Sequence, residues 1–218
     1  MIRKSLLAAA VLVILGVPMA AQAVSFNLTS QPGTTPAMIE FNGDPTRTIT
    51  FPDATDGFDF VIQSGLSALN GLLGNIDGTF SVGTITTPVA GIEVAPVTGT
   101  GTFSIFDGTN TLTADVSWSE ILSVGTTLGL NVSGSLNLTN IAYTGSNTEL
   151  MAMDSDGAAT LTVSAQFVPG MSLSQLMTNN AVNSTSYSGT VASVPEPATM
   201  ALLGMGAMAL AARRRNRR

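Results

Sequence analysis

The side chains best able to do chemistry in this chain are carboxylates, because it contains neither histidine nor cysteine. Those absences remove the commonest general base, the commonest metal ligand and the thiol nucleophile. Zinc sites and Ser-His or Cys-His catalysis are thereby excluded. Two segments, Asp53-Ala54-Thr55-Asp56-Gly57-Phe58-Asp59 and Asp154-Ser155-Asp156-Gly157, space aspartates as a calcium loop could. Neither completes an EF-hand, since a glutamate at the twelfth position is missing from both. Asp and Gly are also ordinary turn formers. Asp53, Asp56, Asp59, Asp154 and Asp156 are therefore weak calcium candidates beside the simpler reading of solvated turns, and no metal or other cofactor is expected.

Paired acids such as Asp115 and Glu120, or Asp154 and Asp156, would suit glycoside hydrolysis. The 14 acids of the chain supply many accidental pairs, however, and with one Trp and two Tyr there is little aromatic surface on which to stack a sugar. Trp118 falls on the apolar face of an alternating run, which places it in a core. No enzymatic activity is expected.

The C-terminus carries a more specific constellation. Val194-Pro195-Glu196-Pro197 is followed by an apolar run from Ala198 to Ala212 and by Arg213, Arg214, Arg215, Arg217 and Arg218. Proline pushes the residue before it out of the helical region, so Val194 and Glu196 form an extended segment that an enzyme cleft can bind. Pro197 suits the first helical position, with Glu196 near the positive end of the helix dipole. A run of 15 residues extends about 22 Å as a helix. The arginines hold the tail tip in the cytoplasm by the positive-inside rule and leave the rest of the chain outside.

Residues 194–218 resemble the PEP-CTERM sorting signal of Gram-negative bacteria in order, spacing and position. The resemblance implies recognition by exosortase, a membrane-embedded enzyme that cleaves near the Pro-Glu-Pro motif. It further implies an association with extracellular polysaccharide and biofilm matrix. It covers only the tail and is silent on the domain that precedes it.

At the other end, Arg3 and Lys4, an apolar run from Leu6 to Val17 and the small residues Ala21-Gln22-Ala23 have the layout of a secretory signal peptide over residues 1–23. The run is about 12 residues, too short to span a bilayer comfortably. Cleavage by signal peptidase after Ala23 would leave Val24 at the N-terminus. Between the two signals the charge is strongly asymmetric, with 13 acids against Arg47 alone, a net of -12. Such a domain repels nucleic acid and anionic membrane surfaces. Its solubility rests on 47 serines and threonines.

The elements that must position these groups read as strands. Leu128, Leu130, Val132, Leu136 and Leu138 share one face of an alternating run, as do Leu112, Ala114, Val116 and Trp118, and Leu161, Val163, Ala165 and Phe167. Leu130, Val132, Leu136, Val163 and Phe167 are expected in the core. Asp107-Gly108-Thr109-Asn110 supplies hairpin chemistry between two such runs. Leu66, Leu69 and Leu73 allow a short helix that Asn70-Gly71 interrupts, Met171 to Met177 allow one or two turns, and Asn179 to Val194 read as a last strand, near Tyr187 to Ala192, running into a linker. The fold class is all-β: an antiparallel β sandwich or jelly-roll-like domain over residues 24–193, flanked by the signal peptide and a C-terminal transmembrane sorting helix. A β-solenoid is disfavoured because no repeat of fixed period occurs.

The functional expectation is an exported, non-enzymatic cell-surface or extracellular-matrix protein. Its partners are signal peptidase and exosortase, the inner membrane transiently, and exopolysaccharide, with no nucleic acid. The alternatives are a carbohydrate- or calcium-binding β-sandwich module, a two-carboxylate hydrolase, or a bitopic membrane-anchored protein.

Overall fold

Period-two alternation becomes strand throughout the residues that the computed structural model describes, which are 23–194 without 65, 126–130, 179 and 181. In chain order the strands are β1 (Ser25–Ser30), β2 (Ile39–Asn42), β3 (Thr48–Thr50), β4 (Phe60–Ser64), β5 (Leu73–Gly78), β6 (Phe80–Val82) and β7 (Thr86–Val89). Next come β8 (Ile92–Thr98), β9 (Thr100–Phe106), β10 (Thr111–Val124) and β11 (Asn131–Ala142). Helix α1 (Thr148–Asp156) precedes β12 (Ala158–Gln166), and helix α2 (Leu173–Thr178) precedes β13 (Val182–Thr185) and β14 (Tyr187–Ser193).

Eight of these strands close into an antiparallel barrel in the order β11-β12-β14-β1-β4-β5-β9-β10, with β10 returning to β11. The expected sandwich or jelly roll is therefore corrected to a closed barrel. Closure pairs the edges that a two-layer sandwich leaves open. Strand β10 also founds a second sheet. Its outer edge pairs with β9 as far as Ser117 and with β8 from Glu120 onward. From β8 the sheet continues through β6, β3 and β2 to β13, with β7 also paired to β8.

The switch of partner coincides with a bulge. Trp118 stands opposite Leu136 and Glu120 opposite Ser135, so Ser119 is an extra residue in β10. A bulge bends its strand and increases the local twist. Here it keeps Ile121 and Ser123 facing inward while β10 turns from one partner to the other. The indole of Trp118 fills the corner and donates to the Glu120 carbonyl at 2.8 Å. Gly134 lies beneath that indole, where an added Cβ would come within 2.5 Å of Nε1.

The barrel interior is filled by Phe26, Leu28, Phe60, Ile76, Phe103, Leu136 and Leu161, all at most 2% exposed. Aromatic rings join the second sheet to the barrel. Phe41 meets Phe167 at 5.5 Å, Phe51 meets Tyr187 at 5.2 Å, and Phe80 meets Trp118 at 5.4 Å. Apolar side chains inside and hydroxyls outside reverse the arrangement of a membrane-spanning barrel. Of the expected core, Val132, Leu136, Val163 and Phe167 are buried, while Leu130 and Leu128 lie outside the described residues.

One local expectation is corrected and two others are resolved. Asp154 and Asp156 do not sit in a loop ahead of a strand but close helix α1. Asn147 caps that helix, accepting from Glu149 N and Leu150 N, and Gly157 ends it at φ 71°. The segment from Leu66 to Gly71 is a set of turns and Leu73 begins β5, so the interruption at Asn70-Gly71 prevails over the short helix. Finally, the last strand expected near Tyr187 to Ala192 forms as Tyr187–Ser193. It is an inner strand of the barrel, paired to both β1 and β12.

Candidate functional site

The described domain begins and ends at one place. Ser25 pairs with Ala192, the Val24 N–H donates to Ser193 Oγ at 2.8 Å, and the Ser193 N–H returns to the Val24 carbonyl at 2.8 Å. Ala23 is exposed just ahead of β1, and Val194 is 53% exposed just past β14. Ladder pairing of the first and last strands thus sets the expected signal-peptidase site beside the start of the sorting segment. Ala21, Pro195, Glu196, Pro197 and the five arginines from Arg213 to Arg218 lie outside the described residues, as do the signal peptide ahead of Ala23 and the sorting helix. Among the described residues no helix is long and apolar enough to cross a membrane.

Beneath that junction, Ser193 Oγ donates to Asp156 Oδ2 at 2.5 Å. Asp156 is 6% exposed and ends α1, whose last turn has no basic residue. Asp154, two residues earlier, is exposed. The two acids therefore do not converge.

The other aspartate segment is split as well. Asp56 accepts from Gln31 Nε2 at 2.7 Å and bends back to its own loop at the Phe58 N–H. Asp59 is wholly buried, with Oδ2 accepting the Ile76 N–H at 2.6 Å. Its Oδ1 has no hydrogen-bond partner, and the exposed Asp53 carboxyl interacts with the same side chain. Burial, opposed by the Ile76 bond and reinforced by the Asp53 and Asp77 charges, pushes Asp59 up to about 8. The Tyr187 hydroxyl donates to the Asp59 carbonyl at 3.0 Å. Burial, and then the Asp59 and Asp53 charges, hold that phenol well above its usual range. Among the described residues no group of three or more acids is placed to hold a metal ion, so the calcium candidates Asp53, Asp56, Asp59, Asp154 and Asp156 do not assemble.

Asp107, expected in a hairpin turn, is found there between β9 and β10. It accepts from Thr109 N at 2.7 Å and Asn110 N at 2.6 Å, and the Tyr143 hydroxyl also donates to it. The Asn110 bond first, then those from Tyr143 and Thr109, lower its carboxyl below the usual range. Of the proposed hydrolase pair, Asp115 is exposed and bonded by Asn140 Nδ2 at 2.7 Å, while Glu120 lies beyond the bulge.

A feature that reading the strands one by one did not reveal is the outer face of β11, β12, β14 and β1. The register aligns Ser133, Ser164, Ser188 and Thr29 in one rung and Ser135, Thr162, Thr190 and Asn27 in the next. A third rung holds Asn137, Thr160, Ala192 and Ser25. None of these residues is charged. Neighbouring rungs repeat at about 6.6 Å and neighbouring strands at about 4.8 Å. Two shallow grooves of about 380 and 320 Å³ cross this face and share Ser164 and Ser188. The signal was present in the sequence as strand faces of Ser, Thr and Asn, but only the pairing order gathers them into one surface.

Fold and termini together define a class, a closed antiparallel barrel domain on a chain with a C-terminal sorting segment. Residues 193–215 match the PEP-CTERM protein-sorting motif. The motif implies a membrane-associated, exported protein that exosortase sorts to the cell surface, and the match covers this C-terminal segment only. No curated protein and no solved structure matches the chain.

Proposed function

We propose that the protein is a non-enzymatic component of the cell surface or extracellular matrix, and that its hydroxyl face lies against neutral exopolysaccharide. A signal peptide over residues 1–23 starts its export, and the inner membrane holds the precursor until exosortase acts. The observation that carries the reading is the uncharged Ser/Thr/Asn surface on four barrel strands. Hydroxyls and amides offer both donors and acceptors to sugar hydroxyls. A domain of net charge -12 repels acidic polymers, so a neutral chain is the favoured partner. Trp118 is 3% exposed and cannot serve as a stacking platform. Contacts on this face are therefore hydrogen bonds, weak singly and additive along a polymer.

Cosedimentation tests the binding. The purified protein should be retained by the host's neutral polysaccharide and not by a polyuronate, and Thr162→Glu with Ser188→Glu should cut retention severalfold. Equal retention of wild type and double variant would remove the face from consideration. Intact mass from the host, with and without its exosortase gene, tests the sorting. If residues 198–218 persist in the presence of exosortase, a plain membrane anchor replaces this reading. Turnover in a screen of glycan and ester substrates would revive the hydrolase alternative.

A further inference from the structure

We propose that the barrel holds a receptor for its own mature N-terminus: once the signal peptide is removed, the Val24 α-ammonium forms a buried ionic link through Ser193 to Asp156. The proposal rests on the reading of residues 1–23 as a signal peptide cleaved after Ala23. The geometry is already in place. The Val24 nitrogen donates to Ser193 Oγ at 2.8 Å and Ser193 Oγ donates to Asp156 Oδ2 at 2.5 Å. Val24, Ser193 and Asp156 are 2%, 5% and 6% exposed.

What this site lacks before cleavage is a positive charge. A carboxyl at the C-terminal end of a helix faces the negative end of the dipole, and a buried one also loses its hydration. Asp156 suffers both. The only basic side chain between Ala23 and Val194 is Arg47, whose guanidinium donates to the Gly83 carbonyl instead. In the precursor the Val24 nitrogen is a neutral amide. Hydrolysis of the Ala23–Val24 peptide bond adds water, frees the Ala23 carboxylate with the leaving signal peptide, and leaves an amine that is protonated near neutral pH. The two linking bonds keep that ammonium within about 5 Å of Asp156, close enough for the carboxylate to favour the amine's protonated form. Processing would therefore tighten the seam between β1 and β14, at the rim where the sorting segment leaves the domain.

The test uses a property of the sequence. Lys4 is the only lysine and belongs to the signal peptide, so the α-amine is the single primary amine of the processed protein. The protein is purified from its host, its first residue is fixed by intact mass, and acylation by an N-hydroxysuccinimide ester at pH 7 is followed by mass. The expected first residue is Val24, with acylation of the folded protein at least about tenfold slower than in urea, as a raised amine pKa of one unit or more requires. Asp156→Asn, which preserves shape, should speed acylation of the folded protein about tenfold. Ser193→Ala, which removes the bridge, should do so as well. Simple burial of the amine predicts no change in either variant, and that outcome overturns the link. A folded-state rate within twofold of the urea rate overturns it too. A first residue other than Val24 overturns the proposal together with the cleavage site, and is recognised separately because mass alone reveals it.

Discussion

Replacing Asp59 by asparagine should stabilise the protein at neutral pH and above, even though it alters a wholly buried, hydrogen-bonded residue. The carboxyl rises from an ordinary 3.8 to about 8 in the folded chain. Between those values the native state keeps a proton that the unfolded chain has lost, so folding stability falls as pH rises, by about 1.4 kcal/mol per unit. The stability conferred by the protonated form is complete below pH 4 and gone above pH 8. From pH 4 to pH 7 the loss amounts to roughly 4 kcal/mol, an upper figure for one site. Asparagine mimics the protonated acid, since its carbonyl can accept from Ile76 N–H and its amide can donate toward Asp53. Urea unfolding followed through Trp118, the only tryptophan, measures both proteins across pH 5 to 8. Variant minus wild type should widen in the variant's favour with each unit, whatever the other carboxylates contribute. A difference that stays constant over this range, or a variant that is weaker at pH 8, would refute the account of Asp59 as an acid kept protonated by burial.

Three further outcomes are expected. Leu136→Ala should cost roughly 2 to 5 kcal/mol in the same assay, while Thr162→Ala should stay within about 0.5 kcal/mol; the opposite ranking would place the strand faces one residue out of register. Gly134→Ala should cost about 1 to 3 kcal/mol by overpacking against Trp118, and that cost should shrink when Trp118→Phe is also made. Tyr143→Phe should raise the lowered pKa of Asp107 toward the ordinary carboxylate value, read by carboxyl NMR titration. Asp107 stabilises the fold at pH values above its unfolded pKa, and that contribution disappears as pH falls through its lowered folded value, so the variant should show a smaller loss in acid.

The hairpin at Asp107 and the inward faces of β10, β11 and β12 were legible because period two and turn chemistry are local properties. Helix α1 was missed because its acids and glycine read as a turn, whereas the signals that make it a helix are the Asn147 cap and the burial of Leu150 and Met153. The strand expected near Tyr187 to Ala192 forms, with Ser188 and Thr190 on its outward face, but no local pattern tells that it is an inner strand of a barrel.

By itself the sequence determined the all-β class, the exclusion of histidine and cysteine chemistry, the acidity of the domain and the sorting motif at its end. Each of these depends on residue type, count or short-range order. Tertiary structure alone decided that the sheet closes, that one face gathers an uncharged hydroxyl lattice, and that Val24 meets Ser193 and Asp156. Those facts depend on which strand pairs with which across separations as long as that between Ser25 and Ala192, and periodicity within a strand carries no information about its partner.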